Sequence, residues 1–280
     1  MRELPVKEVQ AALLKLVEQA AFNLGDVERA ALSDAAARET SAIGQAVLSD
    51  LQQNAEIAKA ERRPLCQDTG VAVIFLEIGQ DLRVTGGDLN DAIQQAVAEG
   101  YQRFHLRKSI LDHPLTRKNT GTNTPAIMHT RIVPGDRLRI RFAAKGGGCE
   151  NMSRLAMLPP SAGREGVVEF VVRAVREAGG NPCPPVIVGV GIGGNFETCA
   201  LLAKESLLRP LGQPAADPVD AGLERELLEK INATGVGPMG LGGAVTALAV
   251  HVASAPCHLA ALPVAVNLDC HSHRHAEIVL

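Results

Sequence analysis

Tryptophan is missing from this chain of 280 residues, and a single tyrosine stands beside six phenylalanines. So thin a supply of rings argues against single-stranded nucleic-acid binding, which relies on aromatic stacking platforms. A basic surplus is lacking too: the formal net charge is −3, the wrong sign for a DNA or RNA footprint. No apolar run reaches the roughly 18 residues of a membrane-spanning helix. The opening Met1-Arg2-Glu3-Leu4-Pro5 lacks the charged-then-apolar order of a signal peptide. The six cysteines, at 66, 149, 183, 199, 257 and 270, include no Cys-x-x-Cys pair. Without an export signal the expected location is the cytoplasm, whose reducing medium disfavours disulfides. Thiols there are mostly buried small hydrophobes and sometimes metal ligands.

What the chain has is core material. Apolar residues make up 46%, mainly Ala, Val, Leu and Ile. A chain of this length can bury about three quarters of the surface its unfolded form exposes. Val6, Val9, Leu13, Leu14 and Val17 recur at helical spacing, Asp26 can cap a second helix, and a third is expected from Ser41 to Ala60. Beyond Pro64 the pattern changes. Val71–Leu76, Arg137–Phe142, Val186–Val190, Val245–Val252 and Val264–Leu268 read as strands. Helices are expected up to Gly100 and over Glu165–Glu177, Asn195–Leu208 and Asp220–Ile231. The fold class is therefore α/β: an N-terminal helical segment over residues 1–60, then a mixed β-sheet layer with flanking helices over 61–280. The Pro-rich stretch 210–218 reads as a loop that does not clearly divide two domains.

Four loops hold chemically useful groups, at strand ends where α/β folds commonly bind ligands. Cys66-Gln67-Asp68-Thr69-Gly70 offers a thiol, an amide, a carboxylate and a hydroxyl, although a polar turn entering a strand would look the same. Lys145-Gly146-Gly147-Gly148-Cys149-Glu150-Asn151 carries three successive glycines, which let backbone N–H groups approach an anion, or simply form a flexible turn. Cys183-Pro184-Pro185 leads into Gly189-x-Gly191-x-x-Gly194, a dinucleotide-type spacing. That reading is weakened because the next segment, 210–218, is no second strand of a βαβ unit. Asp217 and Asp220 also flank Pro218 rather than end a strand. A helix N-terminus near Asn195 could still receive a carboxylate or phosphate. Cys270-His271-Ser272-His273-Arg274-His275 is either a solvated tail or, with alternating His on one strand face, a zinc site. His258 is either a core histidine or a proton carrier.

Taken in order, these stretches resemble the class I iron–sulfur fumarase and tartrate dehydratase family. The matching segments are Pro64–Gly70, Asn119-Thr120-Gly121-Thr122-Asn123-Thr124-Pro125-Ala126, the Lys145 glycine loop, Asn181-Pro182-Cys183-Pro184-Pro185, and Asn267-Leu268-Asp269-Cys270. The resemblance covers nearly the whole chain and implies one cluster-binding domain over residues 1–280. It implies a 4Fe–4S cluster held by Cys66, Cys183 and Cys270, with one iron lacking a protein ligand. That iron would act as a Lewis acid toward a small dicarboxylate. By the same resemblance Gln67 and Arg107 would grip substrate carboxylates, Gly147 would offer its backbone N–H, and Asp68 and His258 would move the proton. Cys149 departs from the family, standing where Ser is expected. Single-chain members continue into a C-terminal domain, whereas this sequence ends ten residues after Cys270. The expectation is thus an α subunit, completed by a separate β subunit, with an α–α dimer core in an α2β2 assembly.

The activity so implied is reversible hydration of fumarate to (S)-malate, with L-tartrate dehydration as the close alternative. Two readings of other classes remain: an NAD-binding oxidoreductase resting on Gly189, Gly191 and Gly194, and a non-catalytic zinc-binding subunit resting on the C-terminal histidines.

Overall fold

The computed structural model describes all 280 residues. The chain begins with β1 (Arg2–Pro5), α1 (Val6–Phe22), α2 (Asp26–Arg38) and α3 (Ala42–Glu61). It continues through β2 (Val71–Gly79), β3 (Leu82–Thr85), α4 (Leu89–Arg103), β4 (Ile127–Val133), β5 (Leu138–Lys145) and the single turn α5 (Gly147–Glu150). Then come β6 (Arg154–Leu158), α6 (Gly163–Ala178), β7 (Val186–Gly194), α7 (Phe196–Ser206) and α8 (Pro218–Asn232). The strands β8 (Ala247–Cys257), β9 (Leu262–Asp269) and β10 (His275–Val279) close the chain. This is the mixed α/β architecture expected from the periodicities. No helix is long and apolar enough to cross a membrane.

Two compact units share the chain: Met1–Leu24, Ala55–Gly147 and Arg274–Leu280 form the first, Gly25–Asn54 and Gly148–His273 the second. In the first, a four-stranded sheet has the order β10-β5-β2-β4. Within it β2 runs parallel to β4 and antiparallel to β5, and β10 closes the edge antiparallel to β5. Its core joins one face of that sheet (Ile74, Leu76, Ile140, Phe142) to α1 and α4 through Leu13, Leu16, Ile93 and Val97. The i, i+3, i+4 spacing of Val9, Leu13, Leu16 and Val17 makes α1 amphipathic, and this stripe is what it buries.

The second unit centres on the sheet β6-β9-β7-β8. β7 and β9 are buried along nearly their whole length; β7 is built of Val, Ile and Gly, and β9 is apolar up to Val266. Val171, Val175, Leu227 and Ile231 from α6 and α8 pack with the sheet's Val188, Val190, Val266 and Leu268. On α7 the N-cap Asn195 accepts from Thr198 N and its own N–H donates to Thr198 Oγ1, so this helix start is capped from within.

Candidate functional site

In the first unit, the stretch Cys66–Gly70 enters β2 beside the end of β5. Gly70 has φ +79°, and a Cβ there would lie 2.8 Å from the Lys145 backbone, so only glycine allows this approach. The Asp68 carboxylate spans the gap. Its Oδ2 accepts from Gly147 N at 2.7 Å and its Oδ1 from Gly70 N at 3.2 Å. Two motifs that are 79 residues apart in sequence are thus joined by one side chain. In this arrangement the Gly147 N–H is already committed to Asp68.

Three further groups fix that loop. The Tyr101 hydroxyl, fully buried on α4, reaches the carbonyl oxygens of Thr69 (2.9 Å) and Gly70 (3.0 Å). Burial pushes the Tyr101 phenol well above its ordinary range; the charge of Arg274 opposes this and that of Asp68 adds to it. A phenol so held stays a hydrogen-bond donor. Asn123, also fully buried, donates from Nδ2 to Gly70 O at 3.1 Å and accepts from Ser109 N at 2.6 Å. Thr69 Oγ1 donates to Arg107 O at 2.8 Å. Cys66 and Asp68 are half-buried, while Gln67 and Arg107 are exposed, Arg107 in the segment after α4.

In the second unit, Cys183 and Cys270 are both half-buried. His271 Nδ1 lies 3.0 Å from Cys183 O, and because a carbonyl only accepts, Nδ1 carries the proton. That bond ties the segment after β9 to the turn before β7. Cys270 Sγ lies 2.9 Å from Ser272 Oγ, and His273 Nδ1 lies 2.8 Å from Asp269 Oδ2. Cys149 is buried, with its thiol donating to Pro182 O at 3.3 Å. Cys149, Asp269 and Cys270 each present one ligand atom within 4.8 Å of the others, a cysteine-rich group able to hold a metal ion. Two thiols among three donors are the soft ligands an iron–sulfur group takes, and of the three cysteines named by the resemblance it is Cys270 that belongs to this group. Cys199 differs: it is fully buried on α7, and burial pushes its thiol up to about 11, which keeps it inert. Cys257 is exposed.

The remaining expectations have clear places. His258 sits in the exposed turn between β8 and β9, its Nδ1 accepting from Ala260 N at 3.1 Å. The residues after Cys270 are no solvated tail: Ser272, His273 and Arg274 are buried, and His275 opens β10. Gly189 and Gly191 lie inside β7 rather than in a strand-to-helix turn. A Cβ on either would come within 2.1 Å of a backbone oxygen of α7. These glycines let α7 pack on the sheet, which removes the basis for the dinucleotide reading. Sequence reasoning gave no individual role to Tyr101, Asn123 or Arg274, which the fold brings to the Cys66–Gly70 loop and the glycine loop. The first could have been flagged as the only tyrosine and the second by its motif; the third was passed over as tail.

The Fumarate hydratase (Fumerase) family profile matches residues 10–279, almost the entire chain. The chain belongs to this family. It is thereby a hydro-lyase chain, as the resemblance implied. A protein of Methanocaldococcus jannaschii provisionally named L(+)-tartrate dehydratase subunit alpha is 41% identical over 275 residues, covering 96% of each chain. The L(+)-tartrate dehydratase subunit alpha of Escherichia coli O157:H7 is 37% identical over 245 residues, 86% of this chain and 80% of that one. The namesake in Shigella boydii serotype 4 has the same identity and coverage.

Proposed function

We propose that this chain is the α subunit of a 4Fe–4S hydro-lyase that adds water to, or removes it from, a four-carbon diacid. The observation that carries the reading is the Asp68 carboxylate, seated by the Gly70 and Gly147 N–H groups where the two glycine-bearing motifs meet. Losing water from a 2-hydroxy diacid means that a carbon-bound proton leaves to a base, the C–O bond breaks as a C=C bond forms, and the departing hydroxyl takes a proton from an acid to leave as water. A positioned base typically contributes about 10²–10⁴-fold. Asp68 and His258 are the proposed proton-transfer groups, and Gln67 and Arg107 the proposed carboxylate contacts. The Gly147 N–H, proposed from the resemblance for substrate, orients Asp68 in the present arrangement. Cys66, Cys183 and Cys270 are the proposed cluster ligands, supported by the family match and by all three being half-buried rather than sealed in the core. The bound cluster, through an iron without a protein ligand, would supply Lewis-acid polarisation of the hydroxyl.

Fumarate/(S)-malate interconversion is the reading the family description supports. L-tartrate dehydration is supported equally by the names of the relatives. Their designation as alpha subunits supports a β partner, and the family resemblance supports an α–α core within a cytoplasmic α2β2 enzyme. The test is anaerobic co-production with the β subunit, followed by iron and sulfide analysis and kinetics on fumarate, (S)-malate and L-tartrate. Cys66→Ser, Cys183→Ser and Cys270→Ser should each lose cluster iron while Cys199→Ser keeps it. Full iron content in any of the first three would refute that ligand. Turnover of none of the three diacids by the iron-loaded complex would refute the function, and good tartrate turnover with negligible fumarate turnover would select the dehydratase.

A further inference from the structure

Arg274 stands out among the charged residues of the first unit. It is 5% exposed, its Nε is buried without a hydrogen-bond partner, and its guanidinium makes no ion pair within the protein. A buried cation left unpaired is costly, and proteins retain such a group where something else completes it. Its surroundings indicate what. The backbone of Arg274 is clamped by Ala144 N donating to its carbonyl, at the junction into β10. That clamp directs the side chain toward the glycine loop. A Cβ built on Gly146 would lie 3.5 Å from Arg274 Nη2 and 3.4 Å from Asp68 Oδ2. The absence of any side chain at Gly146 therefore leaves open a space that the guanidinium and the proposed base both face. Tyr101 feels both charges, opposite in sign.

We infer that Arg274 is a substrate-binding residue that receives a carboxylate of the diacid beside Gly146. The inference rests on the functional reading above and adds to it a cation that the sequence pattern had hidden in an apparent tail. A guanidinium presents paired N–H donors matching the two oxygens of a carboxylate, and in a partly desolvated setting such bonds are strong. Asp68 makes no ion pair with Arg274 in this structure; its two oxygens accept instead from the Gly70 and Gly147 N–H groups. An incoming diacid would bring the guanidinium its anionic partner, next to the carboxylate that would take the substrate's proton. Placement of substrate charge and placement of the base would then be set by the same short loop.

The test uses the chain co-produced anaerobically with its β subunit, and succinate, a four-carbon diacid that cannot lose water, as the probe. Arg274→Met keeps much of the side-chain length without the charge. Succinate affinity by calorimetry should fall roughly 10- to 100-fold, the loss expected for charge-assisted hydrogen bonds. KM for the turned-over diacid should rise in parallel. Iron content should match the parent, and the thermal midpoint of the substrate-free protein should hold or rise, because an uncompensated buried charge has been removed. Arg274→Lys should restore part of the affinity. Loss of iron in Arg274→Met with unchanged succinate affinity per loaded site would assign the residue to cluster support and overturn the inference. A fallen midpoint with unchanged succinate affinity would assign it to structure, with the same consequence. A parent complex that turns over no diacid, yet binds succinate through Arg274, would sink the functional reading while leaving the carboxylate site standing.

Discussion

Glu39 carries no chemistry in the proposed reaction, yet it is the most heavily engaged carboxylate of the second unit. It is 2% exposed, and its oxygens accept from the backbone N–H groups of Thr40, Ser41, Ala244 and Val245 at 2.8–2.9 Å. Burial alone would raise its pKa; the four donors more than offset that and hold it below the ordinary 4.5. Because the folded value is lowered, the stability Glu39 contributes is complete above pH 4.5 and lost as pH falls through the lower, folded value. Glu39→Ala, which orphans these donors, should cost about 3 kcal/mol or more, read from urea unfolding at neutral pH. Glu39→Gln should lose less and should flatten the fall of stability below pH 4.5 that the parent shows. An unchanged acid limb in Glu39→Gln would show that other carboxylates govern it. Nothing in the sequence around Glu39 marks it, since two of its four partners are more than 200 residues away.

At the scale of elements, the strands and helices with strong periodicity fall where the pattern puts them. β2 contains the expected 71–76 run, and α6 covers 163–178 against an expected 165–177. The strands that escaped notice, β1, β3, β4, β6 and β10, are short or mixed in polarity, and their existence depends on a partner. β4, for instance, is largely exposed along its length and is held by parallel pairing with β2. The glycine pattern misleads at this scale for a definable reason. Spacing reports where a Cβ is forbidden, but it does not say whether a phosphate or a helix occupies the space. In β7 it is α7. Gly191→Ala should therefore destabilise by about 1–3 kcal/mol through overpacking. NAD titration should show no saturable binding to parent or variant, and saturable binding in the parent would restore the dinucleotide reading.

For the whole molecule, the chain order is not the unit order. The first unit is assembled from three separate segments, the last of them Arg274–Leu280. Its closing strand β10 pairs with β5 from His275↔Ala143 to Val279↔Arg139 and adds Ala276 to the core. Deleting residues 275–280 should remove these bonds and lower the stability of that sheet by about 3 kcal/mol or more. Hydrogen exchange at the β5 amides is the measurement, and unchanged protection there would show β10 to be dispensable. The sequence by itself settles the elements with strong periods, the six thiols, and the ordered motifs that place the chain in its family. Those are properties of neighbouring residues, or of their order along the chain. Tertiary structure alone decides that Asp68 is held by Gly147, that Tyr101 and Asn123 pin the Cys66–Gly70 loop, and that Arg274 is buried beside Gly146 rather than solvated. Each of these depends on which distant segments become neighbours, and period, charge and spacing do not encode that.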